Sequence, residues 1–157
     1  MANGIPKGYH SVTPYLAVRG AAGAIDWYVQ ALGATEVMRY EDKGKIVHAE
    51  IRLGDSIVML SDEWPEGGHL SPQSQGGTTV GLMVYLDDVD SAFKRAIDAG
   101  AIEERAVQDQ FYGDRTGTLR DPFGHRWTLG THVEDVSDEE MKRRMEESAK
   151  PKQSEPA

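Results

Sequence analysis

The chain has 157 residues, 39% of them hydrophobic, and no cysteine. That is one domain of ordinary size, able to bury roughly 70% of its unfolded surface without cross-links, and it excludes disulfides, a cysteine nucleophile, thiolate metal sites and thiol redox chemistry. A net charge of −9, from 17 basic and 26 acidic residues, argues against nucleic acid or an anionic membrane surface as a partner.

The opening residues, MANGIPKGYHSV, lack the apolar core of a secretion signal. The longest apolar run, Val80 to Leu86, is too short to span a bilayer. A cytoplasmic globular protein is therefore expected. Val12 to Val18 has strand composition, and Pro14 marks an edge or a start. From Ala21, Ile25, Tyr28, Val29 and Leu32 recur at helical spacing, and Gly33 is the expected stop. An extended segment (35–40) and a turn (41–45) lead to a hairpin whose arms, 46–53 and 56–61, are joined by Gly54-Asp55.

A loop rich in Gly, Pro, Ser and Gln (64–77) separates this unit from a second of the same design. Val80 to Leu86 reads as a strand. Asp90 is the expected cap of a helix carrying Ala92, Phe93, Ala96 and Ile97, ending at Ala99-Gly100-Ala101. An extended segment (102–107) and a hairpin (116–120 and 125–131) follow. The hairpin turns at Asp121-Pro122-Phe123-Gly124, with Asp at the start, Pro fixing φ and Gly closing. Each half is thus strand, helix, three strands, and the fold class is α+β, with one domain over residues 9–133 (modules 9–63 and 78–133). Beyond it, Ser137 and Glu140 make a capping-box pattern for a short helical arm (134–149), with Met141 and Met145 on one stripe that could dock on the body or on a second subunit. Residues 150–157 read as a disordered tail.

Thr13-Pro14-Tyr15-Leu16, Ala24-Ile25-Asp26-Trp27-Tyr28, Leu32-Gly33-Ala34, His48-Ala49-Glu50, and Gly113-Asp114-Arg115 leading to Arg120-Asp121-Pro122-Phe123-Gly124-His125-Arg126-Trp127 carry a resemblance. In them the chain resembles the vicinal oxygen chelate superfamily (glyoxalase, bleomycin resistance, dioxygenase), and within it the PhnB-like group. The resemblance implies two tandem βαβββ modules forming a concave, half-open barrel-like sheet with helices outside, and a homodimer that completes the cleft, with modules exchanged in some members. In the metal-dependent members four ligands sit on the first and last strands of the modules. Those positions fall here on Thr13, Met59, Gly81 and Thr128, none a credible ligand for a divalent cation. A slip of one residue offers Pro14, Val58, Leu60, Leu82, Trp127 or Leu129, which are no better.

Strand alternation places the remaining candidates. If Leu53 pairs with Ser56, Glu50 faces Met59 and His48 faces Ser61, so all look into the cleft. Tyr15, Met83, Tyr85 and Arg126 share that lining. His48-x-Glu50 reads as a polar pair on a wet sheet face, as substrate-binding groups, a base with its orienting carboxylate among them, or as two ligands of a displaced metal site. Trp64 and Tyr112, on loops, border a ligand entrance or plug a contact. Arg115 pairs with Asp114 or anchors an anionic ligand; Arg120 is expected to be structural, and His69 exposed. An aromatic and Met-lined cleft suits a flat or apolar small molecule. The expectation is a protein that binds a small organic molecule in a metal-free cleft, with no cofactor. The alternative is a divalent-metal-dependent lyase, isomerase or dioxygenase using His48 and Glu50.

Overall fold

β1 (Tyr15–Val18) begins directly after Pro14, whose carbonyl accepts the Met59 N–H at 2.9 Å; the missing proline N–H confines the residue to the strand's start. Helix α1 (Ala21–Leu32) buries Ile25, Tyr28 and Leu32, the stripe the 3.6 period selects. β2 (Thr35–Asp42), β3 (Lys45–Leu53) and β4 (Ser56–Asp62) follow. The linking loop contains a 3-10 turn (Pro65–Gly67) and a single-turn helix α2 (Pro72–Gln75). The second module is β5 (Gly81–Tyr85), α3 (Val89–Asp98), β6 (Ile102–Asp109), β7 (Asp114–Arg120) and β8 (Arg126–His132), and the arm is α4 (Asp138–Ser148). The computed structural model describes residues 4–150, so the tail expected at 150–157 lies almost wholly outside the described residues.

Each module is a four-stranded sheet, ordered β1-β4-β3-β2 and β5-β8-β7-β6. β1–β4 and β5–β8 are parallel pairs; the other pairs are antiparallel. The hairpin register is the expected one: Leu53 opposes Ser56 and Glu50 opposes Met59. The two sheets do not close into a barrel. One expectation fails at the start of α3. Its cap is Asp88, whose side chain accepts the Ser91 N–H at 3.1 Å. Asp90 lies two residues further on, inside the first turn, and pairs with Arg115 instead. In α4 the Ser137 hydroxyl does accept the Glu140 N–H, but the Glu140 carboxylate serves Arg143 and Arg144.

A single core cluster runs through both modules, joining Ile25, Tyr28, Ile51 and Leu60 of the first to Phe93, Leu119, Trp127 and Leu129 of the second. Polar bonds fix the seam. The Trp27 indole donates to the Ala99 carbonyl at 2.9 Å, Arg95 to that of Ala31 at 3.1 Å, and the His125 Nε2 to that of Ala17 at 2.9 Å. At its centre Asp121, 2% exposed, accepts from the Tyr28 hydroxyl at 2.5 Å, the Trp127 indole at 2.8 Å, and the backbone N–H groups of Phe123 and His125 at 2.9 and 3.0 Å. Burial and the neighbouring carboxylate push the Tyr28 phenol well above its ordinary pKa, so it stays a donor.

A buried donor left without a partner costs about 1–3 kcal/mol. Asp121→Ala orphans four at once and is expected to lower the free energy of unfolding in urea by more than about 3 kcal/mol. Tyr28→Phe, which removes one bond, costs about 1–2 kcal/mol.

Candidate functional site

Because the core binds the helix-covered faces together, the other face of each sheet looks outward. On module 1, the register sets Tyr15 beside Met59 and Met59 beside Glu50, and alternation adds His48 to that face. The Tyr15 hydroxyl lies 2.9 Å from His48 Nδ1, and His48 Nε2 lies 3.0 Å from Glu50 Oε1. Tyr9, arriving from the N-terminal segment, donates its hydroxyl to Glu50 Oε2. Glu50 is 4% exposed, and a carboxylate so buried needs these donors. The bond to Glu50 raises the Tyr9 phenol pKa.

With a neutral imidazole the chain of bonds has one consistent proton assignment. A carboxylate only accepts, so His48 Nε2 carries the hydrogen it gives to Glu50; Nδ1 is then the acceptor, and Tyr15 donates to it. The Tyr15 ring also meets the His69 ring edge-on at 5.2 Å. Together with Lys45, Val47, Ser61 and Trp64 these two rings line a cavity of about 820 Å³. Trp64, 63% exposed, is held by a β-bridge to His69, its N–H on the His69 carbonyl at 2.7 Å. The indole lies flat against Gly67, where a Cβ would stand 2.2 Å from Cε3. His69 was expected in solvent, but its Nε2 is buried and without a partner among the described residues, because the bridge turns the loop back over the sheet.

Module 2 carries Gly81, Met83, Tyr85, Arg126 and Thr128 on its outward face, but its polar groups are satisfied among themselves. The Thr128 and Thr118 hydroxyls are 2.9 Å apart. Arg126 and Arg120 both grip Glu104, at 2.6 and 2.8 Å, which holds that carboxyl below its ordinary range, chiefly through Arg120. Tyr85 donates to Asp114 Oδ2 at 2.8 Å, and His132 sits between Asp114 at 2.7 Å and Asp135 at 2.8 Å.

These faces form separate recesses. Met83 and Tyr85 border one of about 520 Å³ with Val12 and Pro14, and Arg126 borders another of about 390 Å³ with Thr78 and Glu104. The structure thus sets Tyr15, His48, Glu50 and Met59 on one face, but Glu50 and Met59 border a recess of about 360 Å³ with Tyr9 and Thr13. Only Tyr15 of the four shares the larger cavity with Trp64, and Met83, Tyr85 and Arg126 stand apart. Arg115 is on neither face. Its strand neighbour Gly117 abuts Phe93 of α3, and its guanidinium lies on the same helix side, forked onto Asp90 at 2.8 Å with Asp109 at 3.2 Å; its acidic partners are these two and not Asp114. Tyr112 packs edge-on against Phe111 at 5.3 Å, where Arg144 of the arm reaches the Phe111 carbonyl at 3.1 Å. The adjoining Gly113 leaves room for that arm, since a Cβ there would lie 2.0 Å from the Glu134 carbonyl oxygen.

The family pattern described as Glyoxalase/Bleomycin resistance protein/Dioxygenase superfamily matches residues 8–129. The chain belongs to this superfamily. An uncharacterised protein of Mycobacterium bovis is 42% identical over 139 residues, 86% of this chain and 91% of that one. The crystal structure of TioX from Micromonospora sp. ML1 superposes with a TM-score of 0.63 at 28% identity, covering 82% of this chain and all of TioX. TnmS3, an antibiotic binding protein from Streptomyces sp. CB03234, superposes with a TM-score of 0.61 at 21% identity over 79% of this chain and 96% of its own.

The superfamily's metal-dependent members set the test for a divalent cation. Thr13 donates its hydroxyl toward the His10 carbonyl, Met59 and Gly81 offer no hard donor, and Thr128 is engaged with Thr118. These residues do not fit a divalent cation. His48 and Glu50 are turned toward each other and toward two phenols, and no group of three His, Asp or Glu suited to a metal occurs among the described residues. Likewise, no helix among them is long and apolar enough to cross a membrane. Tyr9 escaped the sequence reading, and His69 was read as exposed, because both sit on irregular segments, where no period assigns a face.

Asp114 and then Asp135 raise the His132 pKa above its ordinary value of 6.5. The stabilisation this gives is present below about pH 6.5 and is lost as pH rises through the elevated folded value. Between pH 5.5 and 8.5, the melting temperature of His132→Gln is expected to fall less than that of the parent chain.

Proposed function

We propose that this chain is a cytoplasmic binding protein for a small, flat organic molecule, held on the module 1 face without a metal ion. The observation that carries this reading is the aromatic-walled cavity beside Tyr15, with the Trp64 indole propped over Gly67 at its mouth. An indole 63% in solvent presents an apolar, polarisable face, and a stacked ring beside it gains about 0.5–1.5 kcal/mol beyond its buried area. Lys45 and Glu66 at the rim would orient polar substituents. The donor set supports a metal-free site, since the positions a cation would use hold Thr, Met and Gly. That a fold neighbour is an antibiotic binding protein agrees with ligand capture.

The tryptophans give the experiment. Trp27 and Trp127 are 8% and 1% exposed, so a change in fluorescence on titrating bleomycin or a planar quinoline reports chiefly on Trp64. The expected result is saturable quenching that EDTA leaves unchanged. Trp64→Ala should weaken binding about ten-fold, about 1.4 kcal/mol, and Gly67→Ala, by displacing the indole, should weaken it too. Quenching that appears only with added Ni, Zn, Mn or Fe would favour the metal-dependent reading.

We propose further that the chain is a homodimer in which the outward faces, unclosed within one chain, are covered by a second copy. The half-exposed Tyr15, Met83 and Tyr85 side chains support it. Sedimentation equilibrium is expected to give twice the chain mass of 17.3 kDa, and a monomer at all concentrations would refute the assembly.

A further inference from the structure

On the module 1 face a phenol, an imidazole and a buried carboxylate stand in sequence: Tyr15 hydroxyl to His48 Nδ1 at 2.9 Å, His48 Nε2 to Glu50 Oε1 at 3.0 Å. This is the arrangement that activates a weak nucleophile, with a base within hydrogen-bond reach and a third group that orients it. The orientation is enforced twice. Glu50 is held from its far side by Tyr9, leaving Oε1 for the imidazole, and the bond to Nε2 fixes the tautomer in which Nδ1 can receive a proton. Tyr15 itself lines the 820 Å³ cavity and is 46% exposed, so a small molecule can reach this side chain from solvent.

We propose that Tyr15 is an activated nucleophile, and that small acyl compounds with a good leaving group are the class of molecule that reacts covalently in this cavity. The inference rests on the reading that the module 1 face is the ligand site. In the step, the Tyr15 oxygen attacks the acyl carbon and a new C–O bond forms. The bond from that carbon to the leaving group breaks, its electron pair departing with the leaving group. The phenolic proton passes to His48 Nδ1, and Glu50 balances the imidazolium charge through Nε2–H. The proton is then lost to the leaving group or to water. No oxidant or cofactor enters, and the product is an acyl ester on Tyr15. Tyr15 would touch the reacting carbon; His48 is its base, and Glu50 and Tyr9 are positioning residues.

The probe is p-nitrophenyl acetate, with release of p-nitrophenolate followed by absorbance and the acetylated residue located by peptide mass spectrometry. Tyr40 is the internal control: it is 60% exposed and opposes His48 across the β2–β3 pair, yet its hydroxyl bonds to no side chain among the described residues. Tyr15 is expected to be acetylated at least about ten-fold faster than Tyr40, general-base assistance typically giving about 10²–10⁴-fold. In the parent chain the rate should fall on acidification with the uptake of one proton. His48→Gln should bring Tyr15 down to the rate of Tyr40 and flatten the pH profile, which a merely structural change would not do. Tyr9→Phe, which leaves the relay intact but loosens Glu50, should lower the rate only a few-fold. If Glu50→Gln fails to fold, as its melting curve would show, the His48 and Tyr9 variants still decide the matter.

Acetylation of Tyr15 no faster than of Tyr40, or a Tyr15 rate unchanged in His48→Gln, would overturn the proposal. The Trp64 titration is read separately. Saturable quenching with an inert Tyr15 overturns the relay and leaves the binding reading intact. Fast, His48-dependent acetylation supports the relay whichever planar probe binds.

Discussion

The structure depends on one buried carboxylate. Asp121 closes the β7–β8 turn by accepting two N–H groups of its own hairpin, and from the same position receives the hydroxyl of Tyr28 on the helix of the other module. Desolvating a carboxylate is costly, and only a full set of donors offsets it. The set is complete only when α1 lies against the second hairpin. A turn motif local to module 2 therefore dictates how the two modules pack, and with it which face of each sheet is committed to the core. Everything proposed for the outward faces follows from that commitment.

Two copies of one βαβββ plan have acquired differently ordered polar groups on those faces. In module 2 the outward polar groups close on one another, arginines on Glu104, threonine on threonine, Tyr85 and His132 on Asp114. Groups satisfied within the protein have little left to offer a ligand. Both modules join a tyrosine, a histidine and an acid in series, but in module 1 the imidazole stands between the phenol and the carboxylate, whereas in module 2 Asp114 stands between Tyr85 and His132. The difference lies in connectivity more than in composition, since both faces hold tyrosine, histidine and acid.

That distinction explains what the sequence could and could not reveal. Gly54-Asp55 and the period-2 pattern around it located β3 and β4 and their register, because a two-residue hairpin leaves no slack, and the pairing of Glu50 with Met59 followed. His48 and Glu50 could be put on one face for the same reason. Arg115 could not be placed, because alternation relative to Thr116 was never anchored by a tight turn on that side and its partner Asp90 is 25 residues away on α3. Asp88 and Asp90 are both chemically suitable caps, and only the backbone at Asp88, extended rather than helical, distinguishes them. Trp64 was legible as an exposed aromatic; the bridge that aims it, from its backbone to His69, leaves no periodic trace.

Asp62, at the end of β4, carries a consequence of another kind. Helix α1 begins at Gly20 with no side chain of its own to receive its first N–H groups. The Asp62 Oδ1 takes them instead, at 3.0 Å from Gly20 and 2.9 Å from Ala21, while Oδ2 accepts the Ile46 N–H at 2.8 Å. The anion at the helix start thus comes from about 40 residues downstream. As the chain leaves the ribosome, α1 emerges well before the group that completes it. Its residues must wait, uncapped, until β4 has been made and laid beside β1, so the order of synthesis and the order of folding part company in this module.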